Sequence, residues 1–225
     1  VDVDAVQIGV TGTTDAAGNA QQAYTPENEF GIDTAAPSVV AAGSLDKTFS
    51  GDGRVLTNIV SVNDDAWDVA LQPDGKIVVA GEALSEGRGV FAVVRYNTDG
   101  TLDSTFDSDG IATTTMGAGH AAAFGLAIQP DGKILLAGRA ENASGKYEFA
   151  VARFATDGSL DVSFDSDGKV TTPILGTTDV AYSVVLQPDG KFLVGGTADD
   201  GASYRLALAQ YNYDAVSFAD LILTK

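Results

Sequence analysis

Short stretches in which apolar and polar residues alternate give way, at regular intervals along this chain, to continuous apolar runs. Trp67, Val69 and Leu71 alternate with Asp68 and Ala70; Phe124, Leu126 and Ile128, then Tyr182, Val184 and Leu186, occupy the same places further on. A period of two marks a strand with one face on a core, so the three aromatic residues are expected to pack inward. Each stretch runs into Gln-Pro-Asp-Gly-Lys, at Gln72–Lys76, Gln129–Lys133 and Gln187–Lys191. Proline presets φ, aspartate suits a turn and glycine takes a positive φ, so the chain reverses there. The runs Ile77–Ala80, Ile134–Ala137 and Phe192–Gly195 carry no polar side chain and predict a strand covered on both faces. Variable stretches at Glu82–Val90, Arg139–Glu148 and Thr197–Tyr204 read as loops. A third strand follows at Phe91–Tyr96, Phe149–Phe154 and Leu206–Tyr211, and a threonine-rich fourth, as in Ile111–Thr115, comes after an acidic turn.

The spacing is that of a repeat. Asp74, Asp131 and Asp189 stand 57 and 58 residues apart (131 − 74; 189 − 131), and Leu45–Phe49, Leu102–Phe106 and Leu160–Phe164 show the same two intervals. Each of the latter leads into a glycine-closed turn, Ser50–Gly53, Asp107–Gly110 or Asp165–Gly168. Repeats of this length bury their faces against one another, and four short strands joined by glycine turns suit a propeller blade. The predicted fold is all-β: three blade-like repeats, at about 44–100, 101–158 and 159–215, and a terminal strand fill residues 41–225, behind a separate segment at 1–40.

The combination of Leu-Asp-x-x-Phe, a glycine-closed turn, Gln-Pro-Asp-Gly-Lys with its apolar run, and Phe91–Tyr96 resembles the delta-60 repeat family of bacterial secreted and surface proteins. The resemblance covers roughly Gly43 to Asp214 and implies propeller blades and no catalytic residue. The family pattern has glycine after the phenylalanine of Leu-Asp-x-x-Phe, whereas Ser50, Asp107 and Asp165 stand there. Ile8–Asn19 and Phe30–Ser38 resemble the closing strands of a bacterial immunoglobulin-like domain, of which residues 1–40 supply two or three strands out of about seven.

Composition narrows the function. Thirteen basic against thirty-one acidic residues give a net charge of −18, which disfavours nucleic acid and anionic membranes. The absence of cysteine excludes disulfides, a thiolate nucleophile and cysteine zinc sites. No apolar run approaches the roughly 20 residues of a membrane helix. Val1 onward shows no initiator methionine and no signal pattern, which reads as a piece of a longer or processed product.

Asp107 with Asp109, and Asp165 with Asp167, set two carboxylates beside a glycine, where oxygen ligands for calcium arise; aspartate also suits such turns on its own account. Asp74, Asp131 and Asp189 are read as turn residues, and the single histidine, His120, as an ordinary residue of a Gly-Ala loop. Trp67, Phe124 and Tyr182 would stack on sugars if exposed, against the core packing that their alternation suggests. Arg95 and Arg153, which align with Gln210, are expected to pair with Asp103 and Asp161. No phosphate-binding loop and no Gly-x-Ser-x-Gly elbow appears, so no enzyme is indicated.

Three blades fall short of the 4 to 8 that typically close a propeller. Other copies of itself or flanking domains are therefore expected as partners, and the acidic charge together with the resemblance implies an extracellular or cell-surface bacterial structural or adhesive protein. In a sharper form it is a fibre subunit completed by strand exchange, with Val1–Val10 and Val216–Lys225 as donors. The alternative is a glycan- or ligand-binding propeller module of a larger surface protein.

Overall fold

The computed structural model describes residues 42–60 and 63–213. The immunoglobulin-like segment and both donor segments named above lie outside these residues. Among the described residues there are eleven strands and no helix: β1 (Asp64–Leu71), β2 (Ile77–Ser85), β3 (Arg88–Tyr96), β4 (Ile111–Thr114), β5 (Ala121–Ile128), β6 (Ile134–Glu141), β7 (Tyr147–Phe154), β8 (Lys169–Thr172), β9 (Val180–Leu186), β10 (Lys191–Asp199) and β11 (Tyr204–Asn212). They form three antiparallel sheets in the order β1-β2-β3-β4, β5-β6-β7-β8 and β9-β10-β11. The all-β architecture of blade-like four-stranded units follows the reading of the sequence.

Two details differ from it. The stretch Glu82–Val90 is mostly strand, because β2 and β3 stay in register out to Ser85 and Arg88 and reverse over Glu86 and Gly87 alone. Both turn residues have positive φ, 51° and 78°, the geometry of a two-residue hairpin turn. Likewise β6–β7 and β10–β11 run through much of the other two predicted loops. The sheets are also out of phase with the sequence repeats. β4 lies beyond the Leu-Asp-x-x-Phe motif that opens a repeat, yet it pairs backward with β3, Phe91 opposite Thr114 and Val94 opposite Ile111; β8 does the same with β7. Each of the first two sheets thus takes three strands from one repeat and its fourth from the next.

The motif makes that return possible. Asp103 N–H donates to the Arg95 carbonyl at 2.9 Å, Phe106 closes the turn, and Arg95 N–H donates to Gly110 at 2.8 Å; Asp161, Phe164 and Gly168 repeat this against Arg153. Asp107 and Asp165 hold φ of 44° and 46°, and Ser50 holds 50°. All three positions therefore sit in a left-handed turn, a conformation that aspartate is among the side chains to tolerate.

Two cores lie between the sheets. Phe91, Val93 and Phe106 of the first meet Leu126, Ile134 and Leu136 of the second; Leu135, Phe149 and Val151 of the second meet Val184, Phe192 and Val194 of the third. Each fully buried aromatic or branched side chain contributes about 2 kcal/mol of transfer free energy. Buried ion pairs run through the same junctions. Arg95 Nε lies 2.7 Å from Asp103 Oδ2, Lys76 Nζ 2.6 Å from the same oxygen, and Arg95 Nη1 donates to the Thr156 carbonyl of the next sheet at 2.6 Å. Arg153 repeats the arrangement with Asp161 at 2.8 Å, Lys133 at 3.1 Å from Asp161, and the Tyr213 carbonyl. The arginine–aspartate pairing expected from the alignment is present in both copies.

Candidate functional site

In each sheet the first strand carries one residue too many. The register of β1 on β2 jumps between Ala66 and Asp68, that of β5 on β6 between Ala123 and Gly125, and that of β9 on β10 at Gly196, opposite Ala181, and Gly195, opposite Ser183. The residues skipped are Trp67, Phe124 and Tyr182. A β-bulge re-aims the side chain of its extra residue, and here it turns the aromatic out of the strict alternation that the sequence displays. Trp67 and Tyr182 are each 54% exposed, with Phe124 partly buried between them. The expected inward packing is corrected accordingly: the neighbouring Val184 and Leu126 are buried, whereas the bulge residues are not.

The three rings form one row. β5 packs between β1 and β9, so that Trp67 meets Phe124 edge-on, with centroids 5.2 Å apart at 77°, and Phe124 meets Tyr182 at 5.8 Å and 44°. Asp68, next to the first bulge, accepts from the N–H of Leu126 at 2.8 Å and ties the two strands together.

A charged group flanks the row where the repeats differ. The residue after the bulge-facing glycine is Glu82 in the first sheet, Arg139 in the second and Thr197 in the third. The Arg139 guanidinium lies 4.4 Å from the Tyr147 ring centroid and 5.7 Å from that of Phe124, and its buried Nε has no hydrogen-bond acceptor. Glu82 Oε1 stands 3.0 Å from Nε2 of His120, which comes from the loop before β5. Burial holds the Glu82 carboxyl above its ordinary range, with Asp65 acting in the same direction against the opposing His120 and Arg139. His120 is thus part of a junction between two sheets. Glu82, Arg139 and His120 were not singled out as a group by sequence reasoning; the only signal available was that the position after a repeated glycine fails to repeat.

The acidic turns are built differently. Asp109 Oδ1 accepts from the Ile111 N–H at 2.9 Å and Asp167 Oδ1 from the Lys169 N–H at 3.0 Å, while the backbone N–H of Asp107 donates to the Asp157 carbonyl at 2.7 Å. Burial raises the Asp107 carboxyl pKa, with Asp109 and Asp157 adding to the shift. Among the described residues no three histidine, cysteine, aspartate or glutamate side chains gather as a metal-binding group.

Residues 72–106, 129–164 and 187–214 match a family model described as "Domain of unknown function (DUF5122) beta-propeller". No curated protein matches the chain. The matched segments start at the same glutamine before each Pro-Asp-Gly-Lys turn and cover the second and third strands of each sheet: three segments of the chain are similar to a beta-propeller repeat family.

Proposed function

We propose that the chain is an adhesive module of a bacterial cell surface that binds neutral saccharides along the row Trp67–Phe124–Tyr182. The observation that carries the reading is the row itself: three aromatic rings in contact, its two ends half exposed, each aimed outward by a bulge that recurs in every sheet. Exposed rings of this kind offer a flat apolar surface for the C–H face of a sugar, and the neighbouring Arg139 supplies a hydrogen-bond donor for hydroxyls. The net charge of −18 works against anionic glycans. The role is binding without catalysis. Acidic surface charge, the resemblance to delta-60 repeats and the immunoglobulin-like motifs of residues 1–40 support a place outside the cell. The test is retention on a panel of immobilised neutral and anionic oligosaccharides by the chain and by Trp67→Ala and Tyr182→Ala. Affinity for a neutral glycan that falls about tenfold in each variant, about 1.4 kcal/mol, is the expected result; binding undiminished in both variants overturns it.

A second reading, a fibre or ring subunit completed between copies, is favoured by the third sheet. Among the described residues it has three strands, and the outer edge of β11 is unpaired.

A further inference from the structure

Resting on that second reading, we infer that Arg54–Thr57 is a fourth strand for the third sheet of a second copy of this chain, pairing there with the outer edge of β11 and bringing that sheet onto the exposed face of β1.

The repeat supplies the equivalence. Leu45–Phe49, Gly53 and Arg54–Thr57 stand where Leu102–Phe106, Gly110 and Ile111–Thr114 stand, and where Leu160–Phe164, Gly168 and Lys169–Thr172 stand. The three glycines share φ of 83°, 91° and 83°. Ile111–Thr114 and Lys169–Thr172 are β4 and β8, the outer strands of the first two sheets. Arg54–Thr57, by contrast, pairs with no strand among the described residues, and Leu56 is 100% exposed.

This segment already lies against the first sheet as the outer strand of a preceding sheet would. Ser50 N–H donates to the Asp99 carbonyl at 2.8 Å, as Asp107 does to Asp157 at 2.7 Å one repeat later. Thr57 Oγ1 lies 2.6 Å from the Tyr96 hydroxyl, as Thr172 Oγ1 lies 2.8 Å from that of Tyr211. Among the described residues this segment therefore lies in place without a sheet of its own, and β11 is a sheet edge without an outer strand.

The faces agree with the edges. Phe91, Val93, Phe149 and Val151 are fully buried against the following sheet, but their counterparts Leu206 and Leu208 are 89% and 62% exposed. On the receiving side Leu126 and Val184 are buried against the preceding sheet, while their counterpart Val69 is 62% exposed and Leu71 beside it 69%. A second copy's third sheet seated on β1 covers both sets in the way the two internal junctions already do. Polar groups match as well. Asp46 is the counterpart of Asp103 and Asp161, and its Oδ1 accepts from its own Thr48, as theirs do from Thr105 and Ser163. The places of their lysine and arginine partners are taken on the third sheet by Lys191 and Gln210.

Residues 212–225 carry no Leu-Asp-x-x-Phe and no acidic glycine turn, the device that returns the outer strand in the other two sheets. Carrying over the registers of β3–β4 and β7–β8 sets Leu206 opposite Thr57, Ala207 opposite Leu56, Leu208 opposite Val55 and Ala209 opposite Arg54. The joint is heterologous, so two copies with three sheets each close into a ring within the usual range of propeller sizes, or many extend into a filament.

The chain has no cysteine, which permits a clean test. Leu56→Cys and Ala207→Cys are made in separate chains, mixed and oxidised, and the mass of the unmodified chain is measured by light scattering across concentration. These positions correspond to Thr113 and Ala92, a directly opposed pair within disulfide reach. The expected result is a multimer, with most of the mixture linked as a covalent pair and neither variant linking alone. Arg54→Cys with Ala209→Cys repeats the test should Ala207→Cys fold poorly. Leu56→Cys with Leu206→Cys, one residue out of register and on the opposite face, is expected to stay unlinked. A multimer that links in neither matched pair overturns the inference and leaves the assembly reading standing. A monomer at every concentration overturns both. A bond formed within one chain carrying both cysteines would show that the strand closes on its own sheet and overturn the role of a second copy.

Discussion

A β-carbon on Gly138 would stand 1.9 Å from the carbonyl oxygen of Ala122. Gly81 stands in the same relation to Asp65, at 1.8 Å, and Gly196 to Val180, at 1.9 Å. In each sheet the first strand closes on the second at this glycine, one residue before the bulge or directly beside it, and the aromatic residue is displaced outward as a consequence. Any side chain here meets backbone, which has no easy way to yield. Gly138→Ala is expected to lower stability by about 3 kcal/mol in urea unfolding and to weaken saccharide binding through Phe124. An unchanged midpoint would separate the bulge from its glycine.

Arg153 is 1% exposed, forms an ion pair with Asp161 and donates to the Ser163 hydroxyl and the Tyr213 carbonyl, with its guanidinium 5.0 Å from the Phe164 ring centroid. Arg153→Met leaves Asp161 half-buried, with Lys133 as its remaining cation among the described residues. The expected loss is about 3 kcal/mol. Arg205→Met, which breaks the exposed pair with Asp200, should stay within about 0.5 kcal/mol; equal losses would deny the buried pair its structural role.

Stability should fall steeply in acid. Burial alone would raise Asp161, but hydrogen bonds from Ser163 and Lys133 and the charge of Arg153 outweigh it and bring its pKa down to about 2. Asp103 is lowered further still, burial being outweighed by Lys76, Thr105 and Arg95. A carboxylate with a depressed folded pKa stabilises the fold above its unfolded value near 4, and this contribution is lost as pH falls through the folded value. Asp161 accounts for about 2 kcal/mol of it. Urea midpoints should hold between pH 5 and 7 on the part of these two groups and drop between roughly pH 4 and 2, and the drop should shrink in Asp161→Asn.

Asp109 and Asp167 spend a carboxylate oxygen on the backbone N–H two residues ahead. Such turns stand without an ion, so a calcium chelator is expected to leave the melting temperature of the chain where it was. A rise of several degrees on adding calcium, lost in Asp107→Asn and Asp165→Asn, would place the ion in these turns.

Much of the fold could be read directly from the residues: Pro-Asp-Gly-Lys marks the turn between the first two strands of each sheet, and Ile134–Ala137 is buried as its apolar run predicts. The aromatic row could not be read in the same way. Trp67, Val69 and Leu71 keep the two-residue period of an inward strand, and the bulge at Trp67 lies where β1 closes on Gly81 of the neighbouring strand. Glu82 and Arg139 lay hidden in stretches that vary between the repeats and read as loops, whereas hairpin pairing carries β2 and β6 past them. The meeting of Glu82 with His120 joins two sheets, and no local spacing encodes it. Nor does strand order say that β4 belongs to the sheet behind it; the backbone bonds of Arg95 to Asp103 and Gly110 decide that.

Trp67 is the only tryptophan in the chain, so its emission reports on the first ring of the row alone. Titrating the chain with the neutral oligosaccharides of the panel while following that emission tests saccharide binding at its most direct point. The account predicts a saturable shift toward shorter wavelength with at least one neutral glycan, and protection of the half-exposed ring from acrylamide at the same concentrations. A glycan that binds the chain, as judged by retention, while leaving both the emission and the acrylamide quenching of Trp67 unchanged would contradict it.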